Sequence, residues 1–177
     1  MDGPFYVDLK PPHNATSGSS VTLTTSLQAL ASAGQMPLFP VNYFGYPGKA
    51  VRVTCLGQCT SAATPVAFNF NMIWGTTPGV GANLCGVNVT WTANNANTTF
   101  IFKCIIRCRT TGLSGSVLGT GWLFIQNTGI IPAPATGLGV TTGIDLVTAQ
   151  YLCPSLSRGG STVETAQLHD VFYEALN

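Results

Sequence analysis

The sequence predicts an all-β protein in which two antiparallel sheets form a sandwich or a barrel. Apolar residues recur at every second position in several segments between Val51 and Ile125, which is the spacing of strands with one buried face. Clusters of Gly, Pro, Asn and Thr separate these segments at nearly regular intervals, as in sheets built from short strands. With 177 residues, the chain is expected to form one domain around one core.

The first 20 residues are predicted to be an irregular arm. Pro4, Pro11 and Pro12 interrupt regular pairing there, and a polar run follows them. A short β-like stretch covers residues 21–27, whereas residues 34–48 hold too many prolines and glycines for a strand and are predicted to be a long loop. The β domain is therefore expected to span residues 21–177.

Four strands are predicted between residues 51 and 109, because side chains alternate there between apolar and more polar types. Turns are predicted at residues 75–79, 94–97 and 110–112, which are rich in Gly, Asn and Thr. The residues expected to face inward are Val51, Val53 and Cys55 in the first strand, Val66, Phe68, Phe70, Met72 and Trp74 in the second, Val87, Val89 and Trp91 in the third, and Phe100, Phe102, Cys104, Ile106 and Cys108 in the fourth.

The remaining elements are less uniform. Residues 118–126 continue the alternation as a strand, residues 131–137 are predicted to be a stiff crossing loop, and residues 144–152 a further strand. The last stretch is ambiguous. Residues 168–176 have helical spacing after the capping-box pattern Ser161-x-x-Glu164, but they also alternate as a strand does.

Charged residues are rare in this chain. Asp, Glu, Lys and Arg make up 7% of it, with a net charge of +1, against roughly 25% in ordinary soluble domains. A hydrophobic content of 45% excludes intrinsic disorder, and the apolar stretches are too short and too interrupted to form a membrane helix. So little charge predicts that the protein self-associates and that a larger assembly covers part of its surface.

The six cysteines leave three alternatives open. Cys55 and Cys59 share one face of a strand, as do Cys104 and Cys108, but residues four apart in a strand lie ~13 Å apart, beyond the reach of a disulfide. If the two strands are neighbours, cross-strand disulfides or a zinc site would be geometrically available. The first residues, MDGPF, lack the pattern of a secretion signal, which favours buried free thiols, including Cys85 and Cys153.

No constellation of catalytic residues is evident. Only His13 and His169 are available as bases, and the glycine-flanked serine pattern of a nucleophile elbow is incomplete at residues 112–116. Four acidic residues late in the chain would allow a glycosidase-like pair, but they are interpreted as ordinary solvated acids: Asp145, Glu164, Asp170 and Glu174. We therefore expect a protein without catalytic activity, cofactor or metal.

A short basic stripe is the candidate binding feature. Lys103, Arg107 and Arg109 are expected to lie on one face of the fourth strand and make up three of the seven basic residues. The stripe either keeps an outer sheet face soluble or contacts an acidic partner surface, where it would set orientation. Three cations without a further basic patch would neutralise too few phosphates for nucleic-acid binding.

Several stretches of the sequence resemble a known group of proteins. Residues 42–54 (NYFGYPGKAVRVT), 60–65 (TSAATP) and 73–75 (IWG) resemble the opening of small β-sandwich structural proteins of tailed bacteriophages that infect actinobacteria. Residues 144–152 (IDLVTAQYL) and 169–177 (HDVFYEALN) are similar to the last two strands of that group. The resemblance covers about half of the chain. The chain differs from the group in its number of cysteines, which is six.

The resemblance implies a jelly-roll sandwich that serves as a capsid decoration or minor capsid protein. Such a protein would be assembled in the host cytoplasm, form a homotrimer and bind the major capsid protein on the outer surface of the virion, with no membrane or nucleic acid as partner. The resemblance also favours a strand at the C-terminus. The alternatives are a tail or base-plate component and a glycan-binding sandwich, for which Trp74, Trp91 and Trp122 are candidate stacking platforms.

Overall fold

The structure is a computed structural model that describes residues 19–64, 67–134, 139–160 and 163–176. These residues form β-strands and one short 3-10 turn (Ala33–Gln35), with no α-helix among them, which confirms the all-β prediction. In chain order the strands are β1 (Val21–Thr22), β2 (Gln28–Ala29), β3 (Leu38–Phe39), β4 (Ala50–Thr60), β5 (Ala67–Thr77), β6 (Val80–Thr90), β7 (Thr98–Thr110), β8 (Gly115–Ile125), β9 (Gly129–Ala133), β10 (Gly139–Ile144), β11 (Gln150–Arg158) and β12 (Thr165–Leu176).

The strands form two antiparallel sheets. In sheet A the order is β1-β12-β4-β7-β8-β10, and β9 pairs with β8 beside β10; in sheet B the order is β2-β11-β5-β6, and β3 pairs with β11. The pairs β1 with β12, β2 and β3 with β11, β4 with β7, and β5 with β6 are nested in the sequence and alternate between the sheets. This is the jelly-roll arrangement, and β8, β9 and β10 extend sheet A within it.

An aromatic core holds the two sheets together. Phe70 of β5 is fully buried, and its ring centroid lies 5.0 Å from that of Phe100 on β7, in the opposite sheet. Trp91, which follows β6, stacks on Phe70 at 6.0 Å. Burial of each such ring stabilises the fold by roughly 1.5–3 kcal/mol, so the alternating apolar residues of β4, β5 and β7 are the main link between the sheets.

The sheets approach most closely where β6 of sheet B meets β8 and β10 of sheet A. A Cβ atom on Gly119 would overlap the carbonyl oxygen of Leu84 and lie 3.0 Å from the Cβ of Cys85. Thr141 Oγ1 of β10 donates a hydrogen bond to the carbonyl oxygen of Asn83, at 2.9 Å. Because Gly119 has no side chain, the backbone of β6 can lie directly against β8.

Two sequence predictions are wrong between residues 131 and 152. The predicted strand 144–152 is interrupted by a turn, because the Asp145 carboxylate accepts hydrogen bonds from the backbone N–H groups of Val147 and Thr148, at 2.8 and 3.2 Å. Ile144 therefore ends β10, and β11 begins at Gln150. Residues 131–133 of the predicted loop belong to β9, where Pro132 is tolerated because β9 pairs with β8 alone among the described residues.

The ends of the domain also differ in part from expectation. The C-terminal segment is a strand, because β12 pairs with β4 from Thr165 to Leu176, and its helical interpretation is wrong. The stretch 21–27 holds only the two residues of β1, and the loop 34–48 contains β3 and the last two residues of the 3-10 turn. Residues 1–18 of the predicted arm, Val66 of the second predicted strand and Ser161 of the capping box lie outside the described residues.

Candidate interaction surface

The structure places the basic stripe on the outer face of sheet A. The alternate residues of β7, Phe102, Cys104, Ile106 and Cys108, are buried between the sheets. Lys103 is half-buried, and Arg107 and Arg109 are exposed. The pairing of β7 with β8 shifts between Cys108 and Thr110, so Arg109 lies in a β-bulge at the end of the stripe.

Lys103 is held over an aromatic ring. Its cross-strand partner on β8 is Trp122, and the ammonium nitrogen lies 5.9 Å from the centre of that ring, within the range of a cation–π interaction. On its other side Lys103 pairs with Thr54 of β4, which in turn pairs with Phe172 of β12. The charge therefore lies between two large apolar side chains in one cross-strand row.

Most of the surrounding positions on this face are apolar. Phe172 is 41% exposed and Ile130 of β9 is 70% exposed, whereas an outer sheet face in contact with water usually carries polar side chains. We define the sheet A face as the basic stripe together with these apolar residues, all of which keep some exposure: Leu56, Ile101, Ile105, Leu118, Trp122, Phe124, Ile130, Val140 and Phe172.

Charge is distributed unevenly over the sheet A face. At the β12 margin, Arg52 Nη1 donates to Glu174 Oε2 at 2.8 Å. Within the part of the chain that the structure describes, no carboxylate forms an ion pair with Lys103, Arg107 or Arg109.

Lys49 lies at the end of the sandwich where β7 ends. Lys49 joins the end of β7, because its carbonyl oxygen accepts a hydrogen bond from Cys108 N–H at 2.8 Å. Its ammonium lies 4.5 Å from the ring centre of Tyr43 and 5.7 Å from that of Tyr46. Partial burial lowers the pKa of Lys49, and burial raises the pKa of Tyr43 to about 12. Tyr46 is 51% exposed, so one of the two rings beside Lys49 lies at the protein surface.

The cysteines do not form the cross-strand pairs that the sequence left open. β4 and β7 are neighbours, but their register places Cys55 opposite Phe102 and Cys59 opposite Thr98. All six cysteines are buried and free, as the favoured interpretation predicted. The described residues contain no group of three or more His, Cys, Asp or Glu side chains that could hold a metal ion.

We expect the six thiols to be unreactive in the folded protein. Burial raises the pKa values of Cys55 and Cys59, so at pH 8 almost none of either thiol is the reactive thiolate. Titration with a disulfide reagent at pH 8 should therefore give no rapid reaction before denaturant is added and six equivalents afterwards. Rapid reaction of most of the thiols without denaturant would contradict the buried arrangement.

The four acidic residues do not gather into one site. Asp145 accepts a hydrogen bond from Thr148 Oγ1 at 2.6 Å, and this bond, with that from the Val147 backbone, lowers the pKa of Asp145. Glu164 is fully buried, so its prediction as a solvated acid is wrong. Asp170 and Glu174 pair with Leu56 and Arg52 in the β12–β4 ladder. His169 is exposed at a bulge in β12, and His13 lies outside the described residues.

The tryptophans occupy two kinds of environment. Trp74 and Trp91 are each 2% exposed and belong to the core, and Trp74 Nε1 donates to the carbonyl oxygen of Asp145 at 2.8 Å. Trp122 is half-buried on the sheet A face, and its cross-strand partners are Lys103 and Pro132. A glycan site would favour an exposed tryptophan beside Asn or Asp, and these cross-strand partners do not provide that arrangement.

Comparisons with known proteins add little to this geometry. A scan against protein-family models gave no match, and neither did a search of curated proteins. Among solved structures the chain is similar to a polysaccharide lyase of family 18, with 10% sequence identity and a TM-score of 0.31 over 94% of this chain and 91% of that chain. Values this low carry no argument about activity. Among the described residues there is no helix that is long and apolar enough to cross a membrane.

Proposed function

We propose that this protein is a structural component of a phage particle, a capsid decoration or minor capsid protein that docks on the major capsid protein through the sheet A face. The observation that carries the proposal is the sheet A face itself, in which partly exposed apolar side chains surround three cations that form no ion pair with a carboxylate of the described residues. The family resemblance of residues 42–54 and 169–177 supplies the phage context.

The dimensions of the sheet A face suit a specific interface. Five strand positions at ~4.8 Å and about ten residues at ~3.3 Å give roughly 800 Å², the area that one partner contributes to a standard protein–protein interface. Apolar side chains at its centre would provide affinity on burial, and the stripe would select an acidic surface and set the orientation. The role is mechanical, with no catalytic step.

The low charge supports a second contact between copies. With a net charge of +1, isolated copies repel one another little, and we propose that three copies associate around a cyclic axis on the outside of the shell. Assembly would take place in the host cytoplasm. Trimer formation and capsid binding are separate contacts, so they can be tested separately.

Replacement of Lys103, Arg107 and Arg109 together by glutamine is expected to weaken binding to undecorated capsids about tenfold at low ionic strength, because three charge contacts at the protein surface contribute roughly 1–2 kcal/mol in total. Wild-type binding should weaken as salt is added, whereas binding of the triple variant should change little. Co-sedimentation with particles over a salt series measures both effects.

The matched control keeps the charge and changes the side chains: Lys103→Arg with Arg107→Lys and Arg109→Lys. This variant should bind with nearly wild-type affinity and salt dependence, and both variants should keep the wild-type oligomeric state. A wild-type protein that sediments as a monomer at micromolar concentration and does not bind undecorated particles would overturn the proposed function.

A further inference from the structure

One end of the sandwich exposes apolar side chains in its loops. We define this loop end as the connections that meet where β4 begins and β7 ends: residues 40–49, 78–79, 111–114 and 145–149. Val41, Tyr46 and Leu113 are 64%, 51% and 68% exposed there, and Val80, which follows the β5–β6 turn, is 67% exposed. A concentration of exposed apolar side chains usually marks an interaction surface.

The opposite end of the sandwich is polar. Its connections include residues 92–97 (TANNAN) and 126–128 (QNT). Among the described residues of that end, Val163 is the one large apolar side chain that is exposed. Exposed apolar side chains are therefore a property of the loop end and not of the loops of this protein in general.

Backbone hydrogen bonds join three of the connections at the loop end. Asn42 N–H donates to the carbonyl oxygen of Val147 at 2.9 Å, and Leu146 N–H donates to the carbonyl oxygen of Gly112 at 3.1 Å. The exposed apolar residues of the first and third connections are direct neighbours of these bonded residues in the sequence. The surface is therefore held in one arrangement before a partner arrives, which lowers the entropy cost of binding.

The loop end carries charges of both signs. The Lys49 ammonium lies against the Tyr43 and Tyr46 rings, as described above, and Asp145 lies in the β10–β11 turn. Neither residue forms an ion pair with another described residue. A surface with both charges can complement a second copy of itself, whereas the basic stripe of the sheet A face would repel its own copy.

We propose that copies of this protein associate through the loop end, with an ion pair between Lys49 of one copy and Asp145 of the next. Burial of the exposed apolar side chains stabilises the contact, and the ion pair sets its direction. Because the contact is heterologous, it generates a closed ring and leaves the sheet A face available to the capsid. The inference deepens the proposed function and rests on it for the number of three copies.

Replacing Val41 and Leu113 together with aspartate tests the apolar contact. Both side chains are exposed, so the fold of each copy should be retained, and an unchanged melting curve at high dilution checks this. Association would place two carboxylates in an apolar contact, so the concentration at which half of the protein is monomeric should rise at least about 100-fold. Sedimentation velocity over a dilution series, without capsids, measures the change.

Two other exposed apolar residues provide matched controls. Val163→Asp adds a carboxylate at the polar end and should leave both association and capsid binding unchanged. Ile130→Asp adds one on the sheet A face and should weaken capsid binding while association stays unchanged. If Val163→Asp disrupted association as strongly as the paired substitution at the loop end, the assignment of the surface would be wrong.

Neutral substitutions test the ion pair between copies. Lys49→Gln and Asp145→Asn should each weaken association about fivefold at low ionic strength, and Asn keeps an oxygen that can accept the hydrogen bonds of the turn. Since both remove the same contact, the double variant should be no weaker than either single variant. Fully additive effects would contradict the pairing of Lys49 with Asp145.

The outcomes separate this inference from the proposed function. A wild-type protein that stays monomeric at micromolar concentration but binds capsids would overturn the inference and leave the proposed docking intact. Association that depends on the loop end in a protein that does not bind capsids would support the inference and contradict the proposed function. A paired Val41 and Leu113 variant that still associates but no longer binds capsids would assign the loop end to the capsid and overturn the inference.

Discussion

Replacing Gly119 with alanine is expected to lower the free energy of unfolding by about 3 kcal/mol or more, the range of severe overpacking. The added Cβ would overlap the Leu84 carbonyl oxygen, which belongs to the backbone of β6 and cannot rotate away. Either the sheets must separate at this margin or β8 must move within its own sheet. Urea denaturation followed by tryptophan fluorescence measures the change.

A second glycine provides the control for this substitution. Gly34, in the 3-10 turn, has no heavy atom within 4 Å of the position that a Cβ would take. Gly34→Ala should therefore change the free energy of unfolding by less than about 1 kcal/mol. Equal effects of the two substitutions would contradict the close contact of β6 with β8.

Replacing Phe70 with alanine is expected to cost about 3–5 kcal/mol of folding stability. Phe70 is fully buried and contacts Trp91 in its own half of the sandwich and Phe100 in the other. Its removal leaves a cavity at the junction of the sheets, where neighbouring rings have little freedom to collapse. The loss should appear as a lower urea midpoint with an unchanged slope.

Phe172 is the matched residue on the sheet A face. It is the same side chain in a strand, but it is 41% exposed, so Phe172→Ala should cost less than about 1 kcal/mol. According to the proposed function, the Phe172→Ala variant should also bind capsids more weakly than the wild type, although its folding stability changes little. If Phe70→Ala were no more destabilising than Phe172→Ala, the assignment of inner and outer faces would be wrong.

The sequence predicted the faces of the central strands better than it predicted their ends. Phe68, Phe70 and Met72 alternate with Asn69 and Asn71, and burial follows that alternation. It fails at Ile73, which the alternation assigns to the outer face but which is buried, because the pairing of β5 with β6 shifts between Met72 and Ile73. The positions at which strands end depend on local hydrogen bonds and on individual residues, which the alternation of apolar and polar side chains does not reveal. Asp145 folds the chain into a turn within an apolar stretch, and Pro132 sits in a strand because only one neighbour pairs with that strand in the described structure.

The candidate surface was predictable only in part, for a related reason. Residue parity along β7 is enough to place Lys103 and Arg107 on one side of a sheet. The contact of Lys103 with Trp122 depends on the register of β7 against β8, which the sequence does not state. The sequence does place the apolar residues Ile101 and Ile105 at outward positions of β7, and these positions indicate an apolar outer face. The approach of Cys85 to Gly119 depends on which strands oppose each other across the core, which no local pattern encodes.

The nested strand pairs have a consequence for the order of events during synthesis. Arg52 and Glu174 form an ion pair although 122 positions separate them, and β4 obtains its β12 neighbour only after residues 165–176 leave the ribosome. Until then one long side of β4 is unpaired, and its apolar face lacks part of its cover. Such non-local pairing makes folding slow and leaves intermediates prone to aggregation, so we expect newly made chains to be most prone to aggregation before β12 pairs with β4.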